Sequence, residues 1–297
     1  MDILSKIVAD KHIEVALRKS VISSSQLEQS TIFNRQTFSI VDSLKSSNSG
    51  IIAEFKRRSP SKSVINQDLN VFDVAKGYEL AGACGMSVLT DGKYFGGSLD
   101  DLTIARASCN LPLLRKEFII DEYQILEAKS YGADFILLIA AILTPKELKQ
   151  FSELAKSIGL EVLLEVHNQE ELQRSMMSSI DIIGVNNRNL KTFEVSTKIS
   201  KILSQLIPDE YVKISESGIS NIENIKILKK APVPGFIHLV DLRAGQMVET
   251  FLEGPERGPY FKVISVNEEN DSAIFQDESG DQTEIVFGYT GIPRELG

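Results

Sequence analysis

LPLLRKEFIIDEYQILEAKSYGADFILLIAAILTPKELKQFSELAKSIGLEVLLEV, residues 111–166, decides the fold. Three short apolar runs, at 111–118, 133–140 and 160–166, are separated by two amphipathic stretches, at 121–132 and 144–159. The runs are Leu-rich or β-branched and too short for helices, as strands buried on both faces should be. The second amphipathic stretch carries Thr144 as N-cap, Pro145 at the first helical position and Gly159 as its stop. Strand, helix, strand, helix, strand is the pattern of a parallel α/β sheet.

The same alternation continues on both sides. IIAEF (51–55), GMSVLT (85–90), DIIGVNN (181–187), YVKISES (211–217) and GFIHLV (235–240) complete a set of eight runs, and NIENIKILKKA (221–231) reads as another helix. Eight strand–helix units predict a closed TIM-type (β/α)8 barrel. The rival is a doubly wound open sheet, but no G-x-G-x-x-G follows the first run. Residues 2–19 form an extra N-terminal helix, with Ile3, Leu4, Ile7 and Val8 on one face and Asp2 as cap.

Beyond residue 240 the period changes. PYFKVISV (259–266), SAIFQDE (272–278) and TEIVFG (283–288) alternate apolar and polar residues between the turn-forming NEEND and SGDQ. They predict a small antiparallel β module. Charge shifts at the same place: Val240 to the end holds 4 Lys/Arg against 12 Asp/Glu, and the preceding residues hold 28 against 29. Five of the nine prolines also lie beyond Ala231. Two domains follow, a barrel over 1–240 and an acidic β module over 241–297.

Composition bounds the function classes. A chain of 297 residues with 42% hydrophobic and 25% charged residues is ordinary and globular. A net charge of −9 argues against nucleic-acid binding. There is no long apolar run for a membrane span, and the N-terminus is a poor signal peptide. Cys84 and Cys109 lie in apolar contexts, so a reducing cytoplasm is expected. No His, Cys and Asp residues cluster at metal-ligand spacing, and His12 and His167 read as surface or packing residues. Oligomeric state is not legible.

In such a barrel the active site lies where the strands end, and polar residues are dense there. The first run ends in Glu54 and Lys56, followed by Arg57, Arg58 and Ser59; the third ends in Lys116 and the fifth in Glu165. The sixth ends in Asn186, Asn187 and Arg188, the seventh in Ser215, Glu216, Ser217 and Gly218. Alternation points Glu54 and Lys56 into the barrel together. One such pair would be a structural ion pair, but charges at five strand ends are costly to desolvate unless used. Two lysines at one mouth should repel and lower at least one pKa, which suits a general acid at neutral pH. The Ser217-Gly218 turn offers backbone N–H groups to an anion, with Lys56 and Arg188 near. Phe95 and Phe118 could floor an aromatic pocket.

AEFKRRSPSKS (53–63), VLTDGKYFGGSLDDL (88–102), LPLLRKEFIID (111–121), GADFILLIAAIL (132–143), GLEVLLEVHN (159–168), IGVNNRNL (183–190) and ISESGIS (214–220) resemble the indole-3-glycerol-phosphate synthase family in order and spacing. The N-terminal helix resembles that family's extra helix, and the resemblance covers residues 1 to about 231. It implies ring closure of 1-(2-carboxyphenylamino)-1-deoxyribulose 5-phosphate, a phosphorylated small molecule, with loss of CO2 and water and with no cofactor or metal. By resemblance Lys116 is the general acid and Glu165 serves the proton transfers of dehydration. Lys56 holds the substrate carboxylate or aids dehydration, Glu54 orients the lysines, and Asn186 and Glu216 bind hydroxyls. Phe95, Phe118 and Leu137 match the anthranilate pocket, and Ser217 and Gly218 match half of the phosphate site.

After Ala231 the sequence departs from that family. Leu239 and Val240 stand where a glycine turn donates N–H groups to phosphate, and no amphipathic helix follows. An atypical or incomplete eighth unit is therefore expected. The alternative it leaves is a barrel with impaired turnover, or a scaffold or binding protein whose acidic tail meets a partner.

Overall fold

The computed structural model describes residues 3–47, 50–60, 65, 70–189 and 194–218, together with the strands at 236–240, 262–267, 272–276, 282–287 and 293–294. Eight parallel strands form the centre: β1 (Ile51–Phe55), β2 (Gly85–Leu89), β3 (Leu113–Lys116), β4 (Phe135–Ile139), β5 (Glu161–Val166), β6 (Ile182–Asn186), β7 (Val212–Glu216) and β8 (Phe236–Val240). They pair in chain order, and β8 returns to β1 through Ile51↔His238 and Ile52↔Leu239, which closes the barrel. The eighth strand therefore exists. The expected helix at 221–231, the missing closing helix after Val240 and the Asp2 cap lie outside the described residues.

Helices precede and connect the strands: α1 (Ile3–Val21), α2 (Ser24–Glu28), α3 (Ile40–Ser46), α4 (Val71–Leu80), α5 (Gly92–Phe95), α6 (Leu99–Ser108), α7 (Glu122–Ser130), α8 (Pro145–Ser157), α9 (Gln169–Ser175) and α10 (Lys198–Leu203). Local chemistry sets their ends. Thr144 caps α8 in a reciprocal capping box with Glu147, Pro145 opens the helix, and Gly159 follows it at φ +79°. Asp121 and Asn168 cap α7 and α9 in the same way, through side-chain oxygens that accept backbone N–H groups. Among the described residues no helix is long and apolar enough to cross a membrane.

The third strand is shorter than the run that predicts it. Past Lys116 the backbone turns to side chains instead of the ladder. Phe118 N donates to Glu117 Oε1, Ile120 N donates to Gln124 Oε1, and Gln124 Nε2 donates to Phe118 O. Phe118 thus sits on a loop, at the barrel mouth.

Two apolar layers hold the barrel. One lies between the strands and the outer helices. The other fills the barrel itself with Ile52, Leu114, Phe135, Leu137, Leu163, Ile182 and Ile214, and Ile40 and Leu44 of α3 plug its lower end. Truncating Leu163 in that close-packed interior to Ala costs about 2–5 kcal/mol. The plug is also polar-anchored, because Glu161 accepts from Ile40 N, Val41 N and Ser39 Oγ at the start of β5. Gly85 makes room for it, since a Cβ there would meet Ile40 Cδ1 at 2.6 Å. Filling the lower end leaves the functional cavity to the mouth where the strands end.

The tail forms a separate four-stranded antiparallel sheet of β9 (Lys262–Asn267), β10 (Ser272–Gln276), β11 (Gln282–Phe287) and β12 (Pro293–Arg294), in the order β12-β11-β10-β9. The period-two pattern predicts the first three of these strands, and the two-residue fourth is too short to show a period.

Candidate active site

A cavity of about 300 Å³ opens at the ends of the strands. It is lined by Glu54, Lys56, Ser59, Phe95, Lys116, Phe118, Leu137, Glu165, Asn186, Arg188, Ser217 and Gly218. Every residue the sequence proposes for the site therefore lines it, with one exception. Glu216 lies beneath the floor, fully buried, and touches the site through Lys116.

Glu54 organises the charged side. Its Oε1 accepts from Lys56 Nζ at 2.7 Å and its Oε2 from Lys116 Nζ at 2.6 Å. Ser87 on β2 adds a 3.4 Å hydrogen bond to Oε2, and Tyr78 Oη holds the Glu54 carbonyl. Burial opposes the charge on Glu54, but the two ammonium groups outweigh it and hold the carboxyl well below its usual range.

Lysine repulsion predicts a lowered pKa, and this is corrected for Lys116. Burial disfavours its charge, yet the carboxylates of Glu54, Glu216 and Glu165 outweigh burial and raise its pKa. Lys116 is held as a cation, with the acidic residues as its counterweight. Glu216 moves the other way. Burial, reinforced by the charges of Glu165 and Glu54, pushes its carboxyl up to about 8 against the pull of Lys116. Its Oε2 is 3.5 Å from Lys116 Nζ, and neither oxygen takes a hydrogen bond from the described residues. Gly184 on β6 gives it space, because a Cβ there would lie 2.1 Å from Glu216 Oε1.

Other polar residues at the strand ends serve the frame. Arg57 grips Asp101 with two hydrogen bonds of 2.6 and 2.8 Å, and Arg58 Nη2 donates to the carbonyl of Lys93, which shapes the loop after β2. Asn187 turns from the cavity to donate to Ser215 Oγ and Ser217 O, and Ser200 Oγ donates to its Oδ1. That anchor holds the turn after β7, where Ser217 has φ +66° and Gly218 +74°. Ser217 and Gly218 are thus two successive residues at positive φ, a conformation strained for the Ser and free for the Gly.

The cavity also has an apolar wall: Leu89, Phe95, Phe118, Leu137 and Ile139, with Phe95 and Phe118 rings 6.0 Å apart and tilted by 38°. A flat aromatic group fits such a slot. Ile3, Leu4 and Ile7 of α1 complete this wall, a contribution that sequence reasoning missed. The signal was Lys11, on the stripe of Ile7 and Val15, because a lysine on a buried face needs carboxylates. It finds Asp91 at 2.9 Å and Glu117 at 3.1 Å, which pins α1 to the loops after β2 and β3. His12 is exposed as expected. His167 is not a simple packing residue, since its Nε2 lies 3.3 Å from Glu165 Oε1.

One mouth thus brings together two cations, their carboxylates and an aromatic pair. Comparison with known proteins gives the family. The family model "Indole-3-glycerol phosphate synthase" matches residues 4–242, which reaches past Ala231 and takes in β8. The protein named indole-3-glycerol phosphate synthase in Bacteroides thetaiotaomicron is 46% identical over 257 residues, covering 86% of this chain and 95% of that one. The Chromobacterium violaceum protein of that name is 41% identical over 242 residues, covering 80% and 91%. The Aliarcobacter butzleri one is 42% identical over 239 residues, covering 79% and 91%. With a match that runs from α1 through β8 and relatives nearly spanned by it, this chain belongs to the indole-3-glycerol phosphate synthase family.

Proposed function

We propose that the cavity closes the pyrrole ring of 1-(2-carboxyphenylamino)-1-deoxyribulose 5-phosphate, as a carbon–carbon lyase that releases CO2 and then water. The observation that carries this reading is Lys116, a cation held by Glu54 in the same cavity that Phe95 and Phe118 line.

The aryl carbon that bears the carboxylate attacks the ketone carbon of the sugar chain. Lys116 donates a proton to the ketone oxygen as the new bond forms, so that no free alkoxide builds up. The aryl carboxylate then leaves as CO2, and its bonding pair restores the aromatic ring. Lys56 meets the carboxylate before it leaves. In the second half the new hydroxyl takes a proton from Lys56 and departs as water, while the adjacent CH2 carbon loses a proton to Glu165, which gives the indole double bond. Glu54 sets the two lysines, Asn186 and Glu216 serve the sugar hydroxyls, and Phe95, Phe118 and Leu137 hold the aryl ring. Ser59, Arg188, Ser217 and Gly218 take the phosphate end.

Cys84 and Cys109 are buried thiols not joined in a disulfide, which suits a reducing compartment such as the cytoplasm. The tail is read as a distinct acidic module over 241–297. Limited proteolysis between residues 240 and 260 should leave a stable barrel, and collapse of the barrel on cleavage would unite the two.

The test is indole fluorescence from the purified full chain on this substrate, with Lys116→Ala as control. A signal that falls by at least about 100-fold in the variant supports the reading. A folded wild-type chain that yields no indole product overturns it, and leaves a barrel that binds without turnover.

A further inference from the structure

Glu165 is on β5 and lines the cavity, and His167 follows directly after Val166, the last residue of that strand. The imidazole Nε2 is 3.3 Å from Glu165 Oε1, an ion-pair distance, though its alignment falls short of a hydrogen bond. On the other side Nδ1 lies 3.2 Å from Glu171 Oε2 on α9. That carboxylate is itself fixed: Oε2 accepts from His167 N at 2.8 Å, and Oε1 from Asn168 Nδ2 at 2.8 Å. A ring with a backbone-anchored carboxylate at one nitrogen has its orientation set, and the other nitrogen is aimed by it.

We propose that Glu171, His167 and Glu165 act as one unit, in which Glu171 aims the imidazole and the imidazole positions Glu165 against the reacting carbon. It rests on the reading of Glu165 as the proton-transfer group of the ring-forming reaction. His167 is a positioning residue in this unit, because it touches Glu165 and is not among the residues that line the cavity. A ring serving only to fill space has no need of two flanking carboxylates. Here a neutral or absent imidazole would leave Glu165 and Glu171 facing each other without a cation between them. The acidic groups that act on the ring are Glu171 on α9, Glu165 on β5 and Glu216 on β7. Burial disfavours its charge most, but Glu171, Glu165 and Glu216 outweigh it and raise its pKa.

The chain has 3 histidines, His12, His167 and His238, so their ring protons can be titrated individually by NMR in the full-length protein. His167→Gln assigns the signal. In Glu165→Gln and in Glu171→Gln the His167 pKa should fall by about one unit, because each variant removes a facing negative charge. In His167→Gln, kcat for indole formation should fall about 10-fold while KM stays within about twofold, since Glu165 is misplaced and the substrate contacts are kept. An unmoved imidazole titration in both carboxamide variants overturns the unit, and so does a His167→Gln enzyme with wild-type kcat. If the wild-type chain itself makes no indole product, the functional reading fails. The titration then decides by itself whether the three residues are coupled.

Discussion

Lys116 reaches across β2 to Glu54, its Nζ 2.6 Å from Oε2, and the other oxygen of that carboxylate holds Lys56. One buried anion therefore keeps two cations within reach of the same ligand without letting them repel. This arrangement explains why Lys116 is more strongly protonated than an ordinary lysine, where two neighbouring ammonium groups alone would weaken it.

Glu54→Gln should remove that support from both lysines. We expect kcat to fall about 100-fold, and the residual rate to decline as pH rises, because the Lys116 pKa drops once its main counter-charge is gone. The kcat–pH profile of the variant checks this. A residual rate with the wild-type profile would show that Glu54 does not control the acid.

Glu216 gives a stability prediction with a definite sign. Its carboxyl is raised in the folded chain to about 8 from 4.5, so folding disfavours its ionisation. The stability it contributes is complete below about pH 4.5, and is lost as pH rises through about 8. Glu216→Gln should therefore match the wild type at pH 4 and exceed it at pH 9 by a few kcal/mol on the order expected for such a shift. Urea unfolding at both pH values measures the difference, and equal gains at both would contradict it.

Gly184→Ala should act on the site through Glu216. The new methyl would lie 2.1 Å from Glu216 Oε1 and 3.1 Å from Leu163 Cδ1, so the carboxylate must move away from Lys116. Overpacking of this kind costs about 1–3 kcal/mol, and turnover should fall with it. Thermal unfolding and kcat together test this; a stable variant with full activity would mean that Glu216 has room to shift.

The Ser217-Gly218 turn after β7, proposed as part of the phosphate end, separates two neighbouring substitutions. Gly218→Ala must hold an L residue at φ +74° and meets Val195 Cγ1 at 2.1 Å, so KM should rise at least about 10-fold. Ser217→Gly accepts φ +66° without strain and should keep stability within about 1 kcal/mol and KM near the wild type. Equal effects of the two on KM would remove the backbone of this turn from substrate binding.

The barrel was legible because a strand buried on both faces must be a short apolar run, and the runs at 51–55 and 135–139 hold little else. The acidic and basic residues of the site were legible for the same reason: Glu54, Lys116 and Glu165 interrupt such runs at one end, where nothing but the mouth can solvate them. Three features were hidden. The wall built by Ile3, Leu4 and Ile7 depends on where α1 docks, and Lys11 reveals that only once Asp91 and Glu117 are known to be its partners. His167 lies in the bend just past β5, where strand alternation no longer says which way it points, and a lone His carries no sign of which neighbour it faces. The charge state of Lys116 depends on counting every carboxylate around it, and Glu216 arrives from a strand a hundred residues away in sequence.

The most direct test is a single turnover on substrate labelled at the aryl carboxylate, with labelled CO2 and indole fluorescence followed together in wild type and Lys116→Met. The account predicts one CO2 released per indole formed by the wild-type chain, and loss of both signals together in the variant. A folded wild-type chain that releases no CO2, or a Lys116→Met chain that releases it at the same rate, would contradict it.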